Sequence, residues 1–108
     1  MTAARARIIL DTKKPATADK IVTPIAADIG AVQISSAPYV KGGTEVMLEV
    51  PLSSSDWPAQ ILELIRIAQY LGYGWHITGS IDDSISLTSE KFRITGISWA
   101  CIETDKDD

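Results

Sequence analysis

The chain has 108 residues, of which 45% are apolar and 22% charged, and a formal net charge of −4. This length suits one compact domain, and the apolar fraction is that of a folded protein rather than of a disordered chain. A single cysteine excludes an internal disulfide framework, and no apolar run approaches the roughly 18 to 20 residues of a membrane helix. The composition therefore predicts a soluble, cytoplasmic domain that does not bind membranes.

The charges are unevenly distributed along the chain. Residues 1–20 have a net charge of +3, residues 21–102 of −4 and residues 103–108 of −3. Nucleic-acid binding needs several basic side chains on one face to displace phosphate counterions, and this balance disfavours it. An acidic chain instead favours a protein partner with a basic surface, through electrostatic steering. The last six residues are expected to form a flexible acidic tail.

Apolar spacing predicts a strand and then a helix at the start of the chain. Alternating apolar residues over 5–11 predict the strand, and apolar residues at helical spacing over 17–29 predict the helix. Thr17 or Asp19 is the expected N-cap. Pro24 also allows a shorter helix that begins at this proline, because a proline deep inside a helix is unfavourable.

Two strands joined by a glycine turn are predicted next. The segment 31–35 alternates briefly, residues 41–43 form the turn, and the segment 45–52 alternates between apolar and polar residues. In the second of these strands Glu45 and Glu49 share the polar face. This alternation predicts a strand with one face in the core and one face in water.

The strongest predicted element is a helix over 59–71. Small polar residues, an acid and a proline over 53–58 are typical of a helix start, and Gly72 marks its end. Only four polar residues interrupt its apolar sequence before the aromatic end, at Gln60, Glu63, Arg66 and Gln69. Their spacing of three predicts a narrow polar stripe on a helix that is otherwise buried.

The remaining sequence predicts strands separated by turns. A strand over 75–81 is followed by a turn at Asp82 and Asp83, a short strand over 84–88 and a long strand over 91–103. Near Gly96 the alternating apolar residues change from even-numbered to odd-numbered positions. This change of parity suggests either a bulge or a strand covered on both faces.

The order of the elements predicts an α+β fold. Strand, helix, strand, strand, helix and strand, followed by one or two extra C-terminal strands, fit a ferredoxin-like (split βαβ) sandwich with two helices on one face of a mainly antiparallel sheet. The layout of residues 5–81 resembles that of small ligand-binding regulatory domains of the ACT type. The resemblance is one of topology and assigns no residue a role.

The sequence contains no recognisable catalytic, metal-binding or phosphate-binding pattern. His76 is the only histidine and Cys101 the only cysteine, and neither has a partner at an informative spacing. The acidic pairs lack the ligand spacing and glycine of a calcium loop, and the glycines form no phosphate-binding motif. We therefore expect no enzymatic activity, no cofactor and no metal.

The aromatic residues are candidates either for the core or for an interface. Trp75 and Trp99 lie in predicted strands, so core packing is expected for both. Trp57 precedes the proline of the main helix, where it either packs onto the helix or anchors a partner. Tyr39 begins a predicted hairpin tip, and projecting loops of this kind often contact partners.

The leading hypothesis is a non-catalytic protein-binding domain, a small acidic inhibitor comparable to an immunity protein or an antitoxin. The residues expected to contact the partner are the two aromatics and four acids that follow: Trp57, Tyr39, Glu45, Glu49, Asp82 and Asp83. One alternative is an ACT-like small-molecule module, which would place its ligand between the two copies of a homodimer. Another is a subunit of a larger assembly, with the apolar helix against a neighbouring chain.

Overall fold

The computed structural model describes residues 3–80 and 82–106. The elements of these residues follow in chain order: β1 (Ala3–Leu10), α1 (Pro15–Ile29), β2 (Val32–Pro38), β3 (Thr44–Pro51), α2 (Trp57–Leu71), β4 (Gly72–Tyr73), β5 (His76–Ser80), β6 (Ser84–Ser89), β7 (Lys91–Phe92) and β8 (Ile97–Asp105). Ile81, Asp107 and Asp108, on which parts of the predicted strand and tail fall, lie outside the described residues.

Six of the strands form one sheet in the order β2-β3-β1-β8-β6-β5, and β4 pairs with β7 in a small second sheet. All neighbouring strands pair antiparallel. The α+β class with two helices and an antiparallel sheet is thereby confirmed, but the strand order differs from the predicted ferredoxin-like order. That order places the strand after α2 beside β1, whereas β8 occupies this position and β5 forms the edge.

Burial explains why β8 rather than β5 lies beside β1. β8 has nine residues and buries Ile97, Ala100 and Ile102, whereas the five residues of β5 are all exposed. The centre of a sheet under a helical layer is the part from which most water is excluded. A strand with more apolar side chains is therefore stabilised more when it occupies the centre than when it forms the edge. The C-terminal strands β6 and β8 therefore lie inside the main sheet, between β1 and β5.

Both helices pack on the same face of the sheet. α1 lies against β3 and α2 against β8. The buried side chains of β1 alternate on this face and join those of both helices in one hydrophobic cluster; those of β1 are Ala4, Ala6, Ile8 and Leu10. Because the helices cover the middle of the sheet, the edge strands β2 and β5 lie outside this cover, and every residue of both strands is exposed.

α1 is longer than either predicted version of the first helix. It begins at Pro15, with Lys14 as an N-cap that makes no side-chain hydrogen bond, so the predicted caps Thr17 and Asp19 lie inside the helix. The prolyl ring suits the first turn, where a backbone N–H has no helical partner. Pro24 is an exposed residue within α1 and does not end it. The buried residues Ala18, Val22 and Ile25 outweigh its cost by packing in the core.

α2 ends at Leu71 as predicted and begins two residues before the predicted start, at Trp57. Its exposed side is wider than predicted, because Leu62 is 58% exposed on a helix that was expected to be buried outside its polar stripe. Asp56 is the N-cap, and its carboxylate accepts a hydrogen bond from the backbone N–H of Ala59 at 2.9 Å. Of the predicted polar stripe, Gln60 is buried instead of exposed. Its amide donates to the carbonyl oxygen of Ser54 at 2.9 Å, which satisfies the buried group and ties the preceding loop to the helix.

The predicted strand over 91–103 is interrupted. β7 ends at Phe92 and β8 begins at Ile97, directly after Gly96, whose φ is 101°. A Cβ atom at this position would lie 2.7 Å from Cδ1 of Ile21 in α1. Gly96 therefore lies where a side chain would be obstructed by α1. The parity change itself comes from an irregularity of the bulge type, one of the two predicted explanations: Trp99 pairs with Ile9 and Ile97 with Leu10, so Ser98 is an extra residue in β8.

β8 extends further than the sequence suggested. Residues 103–105, expected to begin a flexible tail, pair with β6, so Ser86 lies opposite Glu103 and Ser84 opposite Asp105. Among the described residues, neither helix has the length and the hydropathy needed to span a bilayer.

Candidate functional site

The face of the sheet that carries no helix is the candidate site, and we call it the open face. Its position follows from the strand pattern, because the residues of β1 that alternate with the buried ones point to this side. The cross-strand register assigns the following side chains of the three central strands to it: Arg5, Arg7, Ile9, Glu45, Met47, Glu49, Trp99, Cys101 and Glu103. The structure thus offers a surface of mixed charged and apolar character.

Arg7 occupies the centre of the open face. Its guanidinium donates to the carboxylate of Glu45, with Nε at 2.9 Å and an ion-pair distance of 2.7 Å. The same group lies 5.6 Å from the ring centroid of Trp99, within the range of a cation–π interaction. The hydrogen bond to Glu45 raises the pKa of Arg7 above its usual value. The two contacts fix the orientation of a side chain that lies between two strands.

One end of the open face is acidic. In β3 and β8, Glu49 and Glu103 both lie opposite Arg5 of β1. The β5–β6 turn lies beside the end of β8, because the backbone N–H of Lys106 donates to the carbonyl oxygen of Asp83 at 2.7 Å. We call this region the acidic end; its acids are Glu49, Asp82, Asp83, Glu103 and Asp105, and its bases are Arg5 and Lys106.

Aromatic residues and grooves mark the opposite end. Two grooves, of about 530 and 230 Å³, both include Glu90 and Trp99 in their walls. The larger groove extends to Tyr39 and Lys41 in the β2–β3 hairpin, and the smaller one extends to His76. We call this region the aromatic end. The aromatic end also contains the basic side chains of Lys41 and Lys91. The charge of the open face therefore differs between the two ends of its strands.

A third cleft lies outside the open face. It has a volume of about 720 Å³ and separates the start of α1 from the β2–β3 hairpin. Its walls include Lys13, Pro15, Pro38, Tyr39 and Val40. Tyr39 therefore lines both this cleft and the larger groove of the open face, which makes the hairpin a wall between the two.

The structure brings some of the predicted contact residues together and separates others. Glu45 and Glu49 lie on the open face, Tyr39 borders its aromatic end, and the two turn aspartates belong to its acidic end. Trp57 is half-buried at the start of α2 and packs against the hydrophobic cluster of the helical layer. It therefore lies in a different layer from the other five residues.

Several residues of the open face were missed in the sequence. Trp99 was expected in the core, but it is half-buried on the open face, whereas Trp75 packs at the core edge and donates to the carbonyl oxygen of Ala68 at 2.9 Å. Arg5 and Arg7 alternate with buried alanines, and this spacing was the available sign of a strand with one charged face.

His76 and Cys101 lie on strands that are separated by β6. His76 is exposed in the edge strand β5. Cys101 is half-buried in β8, with Sγ 3.3 Å from Oγ of Ser86. Within residues 3–80 and 82–106, no group of three or more histidine, cysteine or acidic residues could hold a metal ion.

Comparisons of the chain with models of protein families, with curated proteins and with solved structures gave no match.

Proposed function

We propose that this chain is a non-catalytic protein-binding domain that inhibits a partner with a basic surface, in the manner of an immunity protein or an antitoxin. The observation that carries the proposal is the acidic end of the open face. Five acidic and two basic side chains are placed there, at the edge of a sheet surface that neither helix covers.

Charge segregation supports electrostatic steering of such a partner. Clustered charge of one sign speeds the approach of a surface of opposite sign and repels surfaces of the same sign. The centre of the open face adds side chains that can be buried on contact, namely Met47, Trp99 and Cys101. Met, aromatic residues and Arg are enriched in protein–protein interfaces, and these side chains surround Arg7 with its ion-pair partner Glu45.

A matched pair of charge reversals tests the proposal. The wild-type chain is immobilised and exposed to a lysate of its source organism, and a retained basic protein is identified and purified for measurement of its association rate. Glu103→Lys changes the acidic end, whereas Asp19→Lys makes the same change of charge on the exposed surface of α1. We expect the first variant to slow association on the order of tenfold and the second to have little effect.

Salt provides a second measurement with the same purified partner. Association should slow as ionic strength rises, because screening shortens the range of the attraction. Equal effects of the two reversals, or an association rate that does not depend on salt, would contradict steering by the acidic end. The partner's own activity is then measured with and without the chain, and an unchanged activity would exclude inhibition.

The cleft beside α1 favours a small-molecule-binding module as a second candidate function. Its volume of about 720 Å³ lies within the roughly 300 to 1,000 Å³ typical of ligand sites. A thermal-shift screen with amino acids and nucleotides tests this candidate, and one ligand should raise the melting temperature. Tyr39→Ala should remove that stabilisation, whereas Tyr73→Ala, which changes an exposed tyrosine outside the cleft, should preserve it.

A further inference from the structure

We infer that β5 is a homodimerisation edge, at which two copies of the chain pair antiparallel across a two-fold axis and join their sheets. β5 lies outside the residues assigned to the open face and shares with the proposed function only the turn aspartates Asp82 and Asp83 of the acidic end, so the inference goes beyond that function. It rests on the position of β5, on the side chains that this strand exposes and on the charges at its two ends.

The two edges of the sheet differ in how well they can accept another strand. β2 contains a register shift between Gln33 and Ser35 and ends in Pro38, which has no backbone N–H. Bulges and prolines are features with which proteins protect an edge from pairing. β5 pairs with β6 in an unbroken register from His76 to Ser80 and contains no proline. Of the two edges, β5 is therefore the one suited to strand addition.

The side chains of β5 lack the charges that usually protect an edge strand. No Asp, Glu, Lys or Arg occurs between Arg66 and Asp82, a span that includes the whole strand. Ile77 points to the helical side of the sheet, since its cross-strand neighbour Leu87 is buried on that side. Even so, 65% of Ile77 is exposed. A neutral strand can pair with a copy of itself without repulsion, and pairing would remove the apolar surface of Ile77 from water.

One antiparallel register pairs all five residues of β5 with those of a second copy. It is centred on Thr78, and it places Ile77 opposite Gly79 of the second copy. Gly79 has a φ of 97°, and a Cβ atom there would lie 2.8 Å from the carbonyl oxygen of Ser84, so a glycine is required in the monomer. The absence of a side chain at this position leaves room for the isoleucine of the other copy.

The charges at the two ends of β5 favour the antiparallel arrangement. Asp82 and Asp83 follow the C-terminal end of the strand. Lys91 is paired with Tyr73 near its N-terminal end, and the Arg93 guanidinium lies 5.6 Å from the centroid of the Tyr73 ring. Antiparallel pairing therefore brings the acidic turn of each copy near the basic residues of the other, and the two-fold axis makes this contact twice.

The dimer should be weak. Stable interfaces bury a total of about 1,200 to 2,000 Å² and involve roughly 20 to 30 residues on each side. Five paired residues and the charges beside them form a smaller contact than this. We therefore expect monomers at low micromolar concentration and dimers as the concentration approaches the millimolar range.

Sedimentation velocity over this concentration range tests the inference. The wild-type chain should change from the mass of one chain to that of two, and added salt should favour the monomer. Ile77→Lys places two like charges within the paired strands and should leave a folded monomer. Val32→Lys is the matched control, because it introduces the same charge at a position of β2 that is 61% exposed, and it should still dimerise.

Two charge reversals test the register. Asp83→Lys and Lys91→Glu should each weaken the dimer, because each cancels the net charge of one side of both end contacts and gives positions 83 and 91 of the facing copies the same sign. An equimolar mixture of the two variants should dimerise more strongly than either variant alone, since unlike copies have opposite charges at positions 83 and 91 in both contacts and one of these contacts is that of the wild type. A monomeric wild type at every concentration, a dimer that survives Ile77→Lys, or one abolished by Val32→Lys would overturn the inference. Partner binding by Ile77→Lys is measured separately, so failure of the dimer remains distinguishable from failure of the proposed function.

Discussion

The guanidinium of Arg7 and the carboxylate of Glu45 form an ion pair of 2.7 Å across the β1–β3 boundary of the open face. Glu45 is one of the acids from which the sequence suggested steering of a partner, and its charge is compensated within the chain. Glu103 belongs to the acidic end, where acids outnumber bases. Of these two acids, Glu103 is therefore expected to contribute more to the attraction of a basic surface.

Removal of the ion pair should have a small effect on stability. The side chains of Arg7 and Glu45 are 42% and 32% exposed, so water screens their attraction. We expect Glu45→Gln to lower the free energy of unfolding by less than about 1 kcal/mol, and by less still at high salt. Urea unfolding of Glu45→Gln, Arg7→Met and the double variant gives the coupling energy. A coupling above about 2 kcal/mol would mean that the pair is desolvated.

Glu63 in α2 holds the loop that precedes the helix. Its Oε1 accepts hydrogen bonds from the backbone N–H of Ser53 at 2.9 Å and from the Ser53 hydroxyl at 2.8 Å, and Oε2 accepts from the N–H of Ser54 at 3.1 Å. Burial opposes ionisation of this carboxyl, but the hydrogen bonds from both serines outweigh it and lower the pKa from 4.5 to about 2. The ionised form therefore stabilises the fold.

Glu63→Gln should remove this contribution. We expect a loss of about 1 kcal/mol at neutral pH, a modest value because Glu63 is only half-buried and water screens its interactions. Since the pKa is lower in the folded state, the contribution is present above pH 4.5 and decreases as the pH falls towards about 2. Urea unfolding of both proteins should show a difference at pH 7 that disappears at the acidic end of this range. A constant difference would contradict the assignment.

The sequence identified most elements because their signals are local. Alternation in β1, β3 and β6 and the capping residues of α2 depend on neighbours within a few positions. Strand order was predicted less well, because it depends on competition between distant segments. β5 and β8 both alternate, and only the comparison of their burial beneath α2 shows which of them lies beside β1.

The candidate site was harder to predict than the fold. Glu45 and Trp99 come close to Arg7 only because β3 and β8 both pair with β1, at separations in sequence that no local pattern connects. The alternation of Arg5 and Arg7 with alanines was a local sign that one face of β1 is charged. The position of Trp99 on the open face required the register of β8, which begins only after the break at Gly96.

Gly96 should tolerate substitution less well than Gly30. Gly96→Ala places a Cβ atom at a φ of 101° and 2.7 Å from Cδ1 of Ile21, whereas Gly30, with a φ of 70°, has no atom within 4 Å of that position. We expect losses of about 1 kcal/mol for Gly30→Ala and about 2 to 3 kcal/mol for Gly96→Ala. Thermal unfolding compares the two variants. Ile21→Val removes Cδ1, so combining it with Gly96→Ala should recover the part of the lost stability that comes from the steric contact, and no more. Equal losses of stability for both glycine variants would show that Ile21 moves freely.

Replacement of Pro24 should stabilise the protein. This proline lies in the tenth position of α1, on its exposed side, so it removes a helical hydrogen bond while contributing little burial. A proline inside a helix costs about 3 kcal/mol relative to alanine, and part of this cost is offset because proline also restricts the unfolded chain. We expect Pro24→Ala to raise the free energy of unfolding by about 1 to 2 kcal/mol. Thr23→Ala, a change at the adjacent exposed position, controls for helix propensity and should raise it by less than about 1 kcal/mol. A destabilised Pro24→Ala, with Thr23→Ala unaffected, would mean that the fold depends on the backbone geometry that the proline imposes on α1.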